Sequence, residues 1–201
     1  VYAQVLPKYN WKLDNPEPVP GLGGNGISNM LVQEFEDSTI IWAGTSTGLS
    51  RMKVETEQWL TYGRKHGFGH GGVSALAIKD SIIWVATVFD SLLPEGNLQV
   101  GGGLVYSLDS GKNWKYVPQP GVTPVQNTTW DIAIVDTTVW IASFGGGLRK
   151  STNWKSEDWL SPDFEVTWDF SHLIPDIDID GNIDLAGDFD FSILFNGKWY
   201  K

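Results

Sequence analysis

Three times between residues 27 and 160 the chain repeats one pattern: a pair of aliphatic or β-branched residues, a tryptophan, a tail of small residues and then a Gly-Leu pair. The copies read Ile40-Ile41-Trp42-Ala43-Gly44-Thr45, Ile82-Ile83-Trp84-Val85-Ala86-Thr87 and Thr138-Val139-Trp140-Ile141-Ala142-Ser143. They lead to Gly48-Leu49, Gly103-Leu104 and Gly147-Leu148, and each runs on to another tryptophan, at Trp59, Trp114 and Trp159. Ten, ten and eleven residues separate the Leu from that Trp, so the unit keeps its length where its surface residues differ. Few folds accommodate such a unit, because a short sheet repeated along a chain cannot bury its own apolar face and has to stack on its neighbour.

A period of about 40 to 50 residues with four short β-segments per unit is the signature of propeller blades. The expected fold is therefore all-β, a β-propeller of four-stranded antiparallel blades at 27–63, 72–119, 128–161 and 170–201. Inner strands such as Val73-Ser74-Ala75-Leu76-Ala77-Ile78 and Trp130-Asp131-Ile132-Ala133-Ile134 alternate with the period of two that strands require, and helix signals are absent. The fourth copy is altered. Ile177-Asp178-Ile179-Asp180-Gly181-Asn182-Ile183-Asp184-Leu185-Ala186-Gly187 fills its slot, with Asp184 in place of tryptophan, and Phe195-Asn196-Gly197-Lys198-Trp199 is expected as its outer strand.

Residues 1–26 form an N-terminal segment. Its Asn10-Trp11-Lys12-Leu13 is similar to Asn113-Trp114-Lys115-Tyr116 of the second blade, and it is expected to act as a clasp strand completing a blade encoded near the C-terminus. Four blades are few for a closed ring, so further blades of the same polypeptide are expected as partners. Val88 to Gly101 interrupts the second blade and reads as a 14-residue loop at one end, where binding residues collect. The stretch Arg64-Lys65-His66-Gly67-Phe68-Gly69-His70-Gly71 reads as a flexible inter-blade linker, since a metal pair of His66 and His70 lacks a nearby third ligand.

Composition excludes several function classes. A formal charge of -10 leaves no clustered Lys and Arg to neutralise phosphates, so no nucleic-acid partner is expected. With no cysteine there is no disulfide framework, thiolate metal site or Cys nucleophile. No apolar run approaches the roughly 20 residues of a membrane-spanning helix. Eleven Trp and 23 Gly fit the stacked-sheet expectation, Trp filling the wedge between blades and Gly supplying positive φ in tight turns. Val1 and Ala3 ahead of Gln4 would suit signal-peptidase cleavage, and the expected location is secreted, periplasmic or cell-surface.

Ser107-Leu108-Asp109-Ser110-Gly111-Lys112-Asn113-Trp114 matches S-x-D-x-G-x-x-W at every specified position. In such a turn Asp109 accepts hydrogen bonds from backbone N–H groups, Gly111 takes a conformation closed to other residues and Trp114 folds back beneath. Ser151-Thr152-Asn153, leading to Trp159, is a degenerate version. Here the chain resembles the Asp-box (BNR) repeat propellers, while Trp42-Ala43-Gly44-Thr45-Ser46-Thr47-Gly48-Leu49-Ser50-Arg51 resembles the two-component-regulator type of repeat. The resemblance covers most of the chain and is specific for fold rather than function. Sialidases share the motif, but that family's arginine triad begins in a Phe/Tyr-Arg-Ile-Pro motif, and none of Arg51, Arg64 and Arg149 sits in one. Arg51 and Arg149 each follow a repeated Gly-Leu and are expected at equivalent strand positions.

Asp176, Asp178, Asp180 and Asp184, with the Asn182 carbonyl, would supply the hard oxygen ligands that Ca2+ takes, and the spacing resembles the calcium loops of integrin-type propeller repeats. The bland alternative is a hairpin with Asp180-Gly181 at its tip. Asp131 and Asp176 fall at equivalent inner-strand positions and are the first candidates for an axial-face site. The leading functional expectation is a secreted, non-catalytic module that binds a protein or glycan ligand. The alternatives are a carbohydrate-active enzyme, glycosidase or lyase, with most catalytic residues outside this segment, and the sensor domain of a bacterial signalling receptor.

Overall fold

A computed structural model of the chain describes residues 17–93, 96–120, 127–144, 146–169, 193–195 and 198–200. It is all-β, built from antiparallel sheets. The first sheet has the order β1 (Val19–Pro20), β5 (Gln58–Tyr62), β4 (Gly48–Lys53), β3 (Ser38–Thr45), β2 (Ile27–Phe35). The second runs β6 (Gly72–Lys79), β7 (Ile82–Leu93), β8 (Gly96–Ser107), β9 (Lys115–Val117), and the third β10 (Thr128–Val135), β11 (Thr138–Phe144), β12 (Gly147–Ser151). β13 (Ile193–Phe195) and β14 (Lys198–Tyr200) form a separate two-stranded sheet.

The three larger sheets stand side by side with β2, β6 and β10 adjacent. Each of these strands carries a bulge near its start, at Ile27/Asn29, Val73/Ala75 and Thr129/Asp131. A serine at the bulge ties one sheet to the next. Ser28 Oγ donates to the Val73 carbonyl at 2.6 Å, and Ser74 Oγ donates to the Thr129 carbonyl at the same distance. At the other end of the same strands Gln33 Nε2 donates to the Asp80 carbonyl, and Lys79 Nζ meets Asp136 at 3.9 Å.

Two cores lie between the sheets. Trp42, Leu49, Tyr62 and Phe68 pack against Leu76, Ile83, Val85 and Val105 in one; Trp84, Leu104 and Tyr106 pack against Ile132, Val139, Ile141 and Trp154 in the other. The same aromatic pairing recurs in both. Trp114 meets Trp42 edge-on (6.5 Å, 80°), and Trp154 meets Trp84 edge-on (5.9 Å, 82°). Edge-to-face is the arrangement that ring quadrupoles favour.

The architecture departs from the expected blades in several places. β1 adds a fifth strand to the first sheet, and Gly21 and Gly23 continue over its outer half: Gly23 N donates to Ser50 Oγ at 3.0 Å and Thr61 Oγ1 to the Gly21 carbonyl at 2.7 Å. The clasp residues Asn10 to Leu13 lie outside the described residues. The expected outer strand Phe195 to Trp199 is instead shared by β13 and β14, paired Phe195↔Lys198, because a two-residue Asn-Gly link favours a hairpin. In the third sheet Trp154, not Trp159, takes the place of Trp114. The reason is a shortened turn: Trp114 follows Ser107 by seven residues, Trp154 follows Ser151 by three, and Trp159 is left to touch Tyr106 at 5.4 Å from the side.

Trp154 is fully buried and donates Nε1–H to the Thr137 carbonyl at 3.0 Å. Trp154→Ala is therefore expected to cost about 3–5 kcal/mol and Trp159→Ala distinctly less; urea midpoints of the two variants measure the difference.

Candidate functional site

Antiparallel order gives the stack two distinct ends. One carries the tight turns between β2 and β3, β6 and β7, and β10 and β11, together with the β8–β9 turn; the other carries the inter-sheet loops and the β7–β8 connection.

At the first end the Ser107–Trp114 turn is closed by its own side chains. Asp109 Oδ1 accepts from the Lys112 and Asn113 amides at 3.1 and 2.9 Å, and Oδ2 accepts from Asn113 Nδ2 at 2.7 Å. Ser107 Oγ accepts from the Gly111 amide and donates to Asp109. Burial pushes the Asp109 carboxyl up, but the hydrogen bonds from Asn113, Ser107 and Lys112 together outweigh it and hold the group below its ordinary value. Gly111 has φ +81°, and a Cβ there would fall 2.8 Å from the Trp42 ring. The turn is thus a brace between two sheets.

At the opposite end the 14-residue loop expected at Val88 to Gly101 is a β-ribbon. β7 and β8 stay paired past a bulge at Thr87/Val88 out to Leu93↔Gly96. Its residues alternate, so Phe89, Leu98 and Val100 are partly or wholly covered while Asp90, Leu92, Asn97 and Gln99 are exposed, Leu92 at 85%. Both flanking loops grip the base. The His70 amide donates to the Gly102 carbonyl at 3.2 Å and the His70 ring abuts Phe89 at 4.2 Å. From the other side Asn127 Oδ1 accepts from the Gly101 amide at 3.0 Å and Thr128 Oγ1 donates to the Gln99 carbonyl at 3.2 Å. A Cβ on Gly102 would sit 1.9 Å from the His70 carbonyl oxygen, so only glycine admits this approach.

The expected flexible linker is also ordered. Arg64–His66 form a 3-10 turn ended by Gly67 at φ +87°, and His66 is buried against Tyr62. Its Nδ1 accepts from the Gly63 amide at 2.9 Å, so Nε2, 3.1 Å from the Glu17 carbonyl, carries the proton. Beside this turn an open groove of about 390 Å³ is lined by Val19, Pro20, Leu22, Thr47, Lys65 and His66.

Arg51 and Arg149 are not equivalent. Arg51 pairs with Trp42 and lies over its ring at 5.9 Å, the place that Lys150 takes over Trp140 at 5.5 Å and Tyr106 takes against Trp84. Arg149 falls one residue earlier, which turns it to the other face of its strand. There it is buried, donates Nη1–H to the Pro120 carbonyl at 2.6 Å, and burial lowers its basicity.

Asp131 lies on the outer face of the third sheet opposite Ala142, its Oδ1 accepting from the Ile132 amide at 2.9 Å. Its proposed partner Asp176, and the calcium candidates Asp178, Asp180, Asn182 and Asp184, lie outside the described residues. Among the described residues no group of three His, Cys, Asp or Glu side chains stands close enough to hold a metal ion, and no helix is long and apolar enough to cross a membrane. Compared with known family models and with curated proteins, the chain matches none.

Asp109→Ala strips two amides of their acceptor and is expected to cost about 1–3 kcal/mol at neutral pH. Because the folded carboxyl lies below its unfolded value, its contribution is complete above the ordinary carboxylate range and is lost as pH falls through the folded value. The stability gap between wild type and Asp109→Asn should therefore close as urea titrations move from about pH 6 to about pH 2.

Proposed function

We propose that this chain is a non-catalytic module of an exported β-propeller, and that it binds a protein or glycan ligand at the ribbon end. The observation that carries this reading is the ribbon itself. An exposed hairpin gripped at its base by both neighbouring loops presents a fixed surface, which lowers the entropy cost of binding. Asp90, Asn97 and Gln99 offer hydrogen-bonding groups beside the apolar Leu92. Loops on a rigid scaffold are where binding residues collect.

The ring is supported by the side-by-side placement of β2, β6 and β10 and by the repeated serine and tryptophan links. The aspartates spaced along 176–184 extend the reading to a further unit stiffened by Ca2+, which would raise Tm on calcium addition and lose that response in Asp180→Ala.

Replacing residues 89–100 by Asn-Gly should leave the far-UV spectrum and the Trp fluorescence of the stack intact while abolishing retention of ligand on a glycan or protein array. Equal retention by the shortened protein would overturn the ribbon as the site. Release of reducing ends from a bound polysaccharide, lost in Asp131→Asn, would replace the module with a carbohydrate-active enzyme.

A further inference from the structure

Asn25-Gly26 lies where the segment that runs over the first sheet turns into β2. Both residues are exposed, and Asn25 occupies a bend outside any strand. The Gly26 carbonyl accepts from the Ser46 amide at 2.9 Å, but neither the Gly26 amide nor any polar group of Asn25 makes a hydrogen bond among the described residues. The chain on either side is held. Gly23 N–H donates to Ser50 Oγ at 3.0 Å before the pair, and Ser28 Oγ donates to the Val73 carbonyl at 2.6 Å after it.

An unbonded amide next to an asparagine is a nucleophile beside a carbonyl carbon. With no Cβ at residue 26 nothing shields that nitrogen, and the glycine backbone reaches the conformations that bring it to Asn25 Cγ. A paired strand would hold the two apart, and this pair stands just ahead of one.

We propose that Asn25 is a site of covalent self-modification, at which the chain deamidates through a cyclic imide formed with Gly26. The Gly26 nitrogen bonds to Asn25 Cγ, the Cγ–Nδ2 bond breaks, and the side-chain nitrogen leaves as ammonia, taking up the amide proton. Water then opens the ring. Opening at Cγ restores the ordinary backbone with aspartate at position 25; opening at the main-chain carbonyl gives isoaspartate, whose backbone runs through Cβ and is one carbon longer. Either product adds a negative charge to a chain whose formal charge is -10.

Isoaspartate has the larger structural effect. Its extra carbon enters next to the Gly26 carbonyl that meets Ser46, and just before Ser28, which ties the first sheet to the second at the β2 bulge. Modification thus loosens the joint between those two sheets.

The full chain, held folded in mildly alkaline buffer, should gain one mass unit, and peptide mapping should place the gain at Asn25, apart from Asn196, the other asparagine that precedes a glycine. Its rate in the folded chain should come close to that of the chain unfolded in urea. An Asn25 that keeps its amide when folded and loses it in urea would overturn the site. Gly26→Ala should fold, because a Cβ there meets nothing closer than Ser46 Cβ at 3.4 Å, and should slow the reaction by roughly an order of magnitude. An undiminished rate in Gly26→Ala would overturn the imide route. Ion exchange separates the products, and the fraction that an isoaspartyl methyltransferase labels should unfold at a lower urea concentration than the Asn25→Asp variant; equal midpoints would overturn the loosening of the joint.

Discussion

Trp114 set edge-on against Trp42, and Trp154 against Trp84, join each sheet to the one before it. Strand pairing alone leaves a short sheet with an uncovered face on each side, and only stacking removes that surface from water. A tryptophan side chain buries roughly 150–250 Å², which at about 25 cal/mol per Å² gives an upper bound of about 4–6 kcal/mol. A serine link such as Ser28 to Val73 contributes about 1 kcal/mol net. Packing therefore sets the stack and the hydrogen bonds set its register. The indoles are not equally provided for. Nε1–H of Trp42 reaches Gln33 at 2.9 Å and that of Trp154 reaches Thr137, whereas those of Trp84 and Trp114 are buried without a partner among the described residues. That penalty, about 1–3 kcal/mol each, is smaller than what burying the ring gains.

The same contact fixes the two ends of the stack. Because Gly111 leaves space for the Trp42 ring and Trp114 also packs on Tyr62 and Phe68, the turn held by Asp109 in the second sheet braces the first. Phe68 leads into Gly69, His70 and Gly71, and the His70 ring rests on Phe89 at the foot of the ribbon. Two ring contacts joined by the short stretch Phe68 to His70 thus link one end to the other. The Asp109 end braces the stack, and the ribbon end carries the exposed hairpin.

The strand pattern was legible because its signals are local. Alternation across β6 and β10, Gly-Leu after each tryptophan and a complete S-x-D-x-G-x-x-W turn all act within a few residues. Sequence and structure part where a count of one or four residues changes a face or a partner. A one-residue offset from Gly-Leu separates Arg149 from the place of Arg51, and the shortened turn after Ser151 gives Trp154, not Trp159, the place of Trp114. The ribbon carries a readable sign, since Phe89 and Leu93 alternate with Asp90 and Leu92, but a 14-residue insertion is equally compatible with a loop, and only the β7–β8 pairing out to Leu93↔Gly96 decides between them. His66 was illegible for another reason. Its partners, the Gly63 amide and the Glu17 carbonyl, are backbone atoms that only the folded chain brings together. Of the site residues, the sequence drew the eye to aspartates such as Asp131, whereas the chain gathers its exposed, firmly anchored groups on the ribbon.

Polarity of the sheets limits how such a stack can end. Each of the three larger sheets has a tryptophan side and an aliphatic side, so sheets add in one direction only. Closure, in which the last tryptophan side meets the first aliphatic side, is the arrangement that leaves neither exposed. The pairing of sides that joins the inner sheets is therefore also the condition for finishing the outer ones.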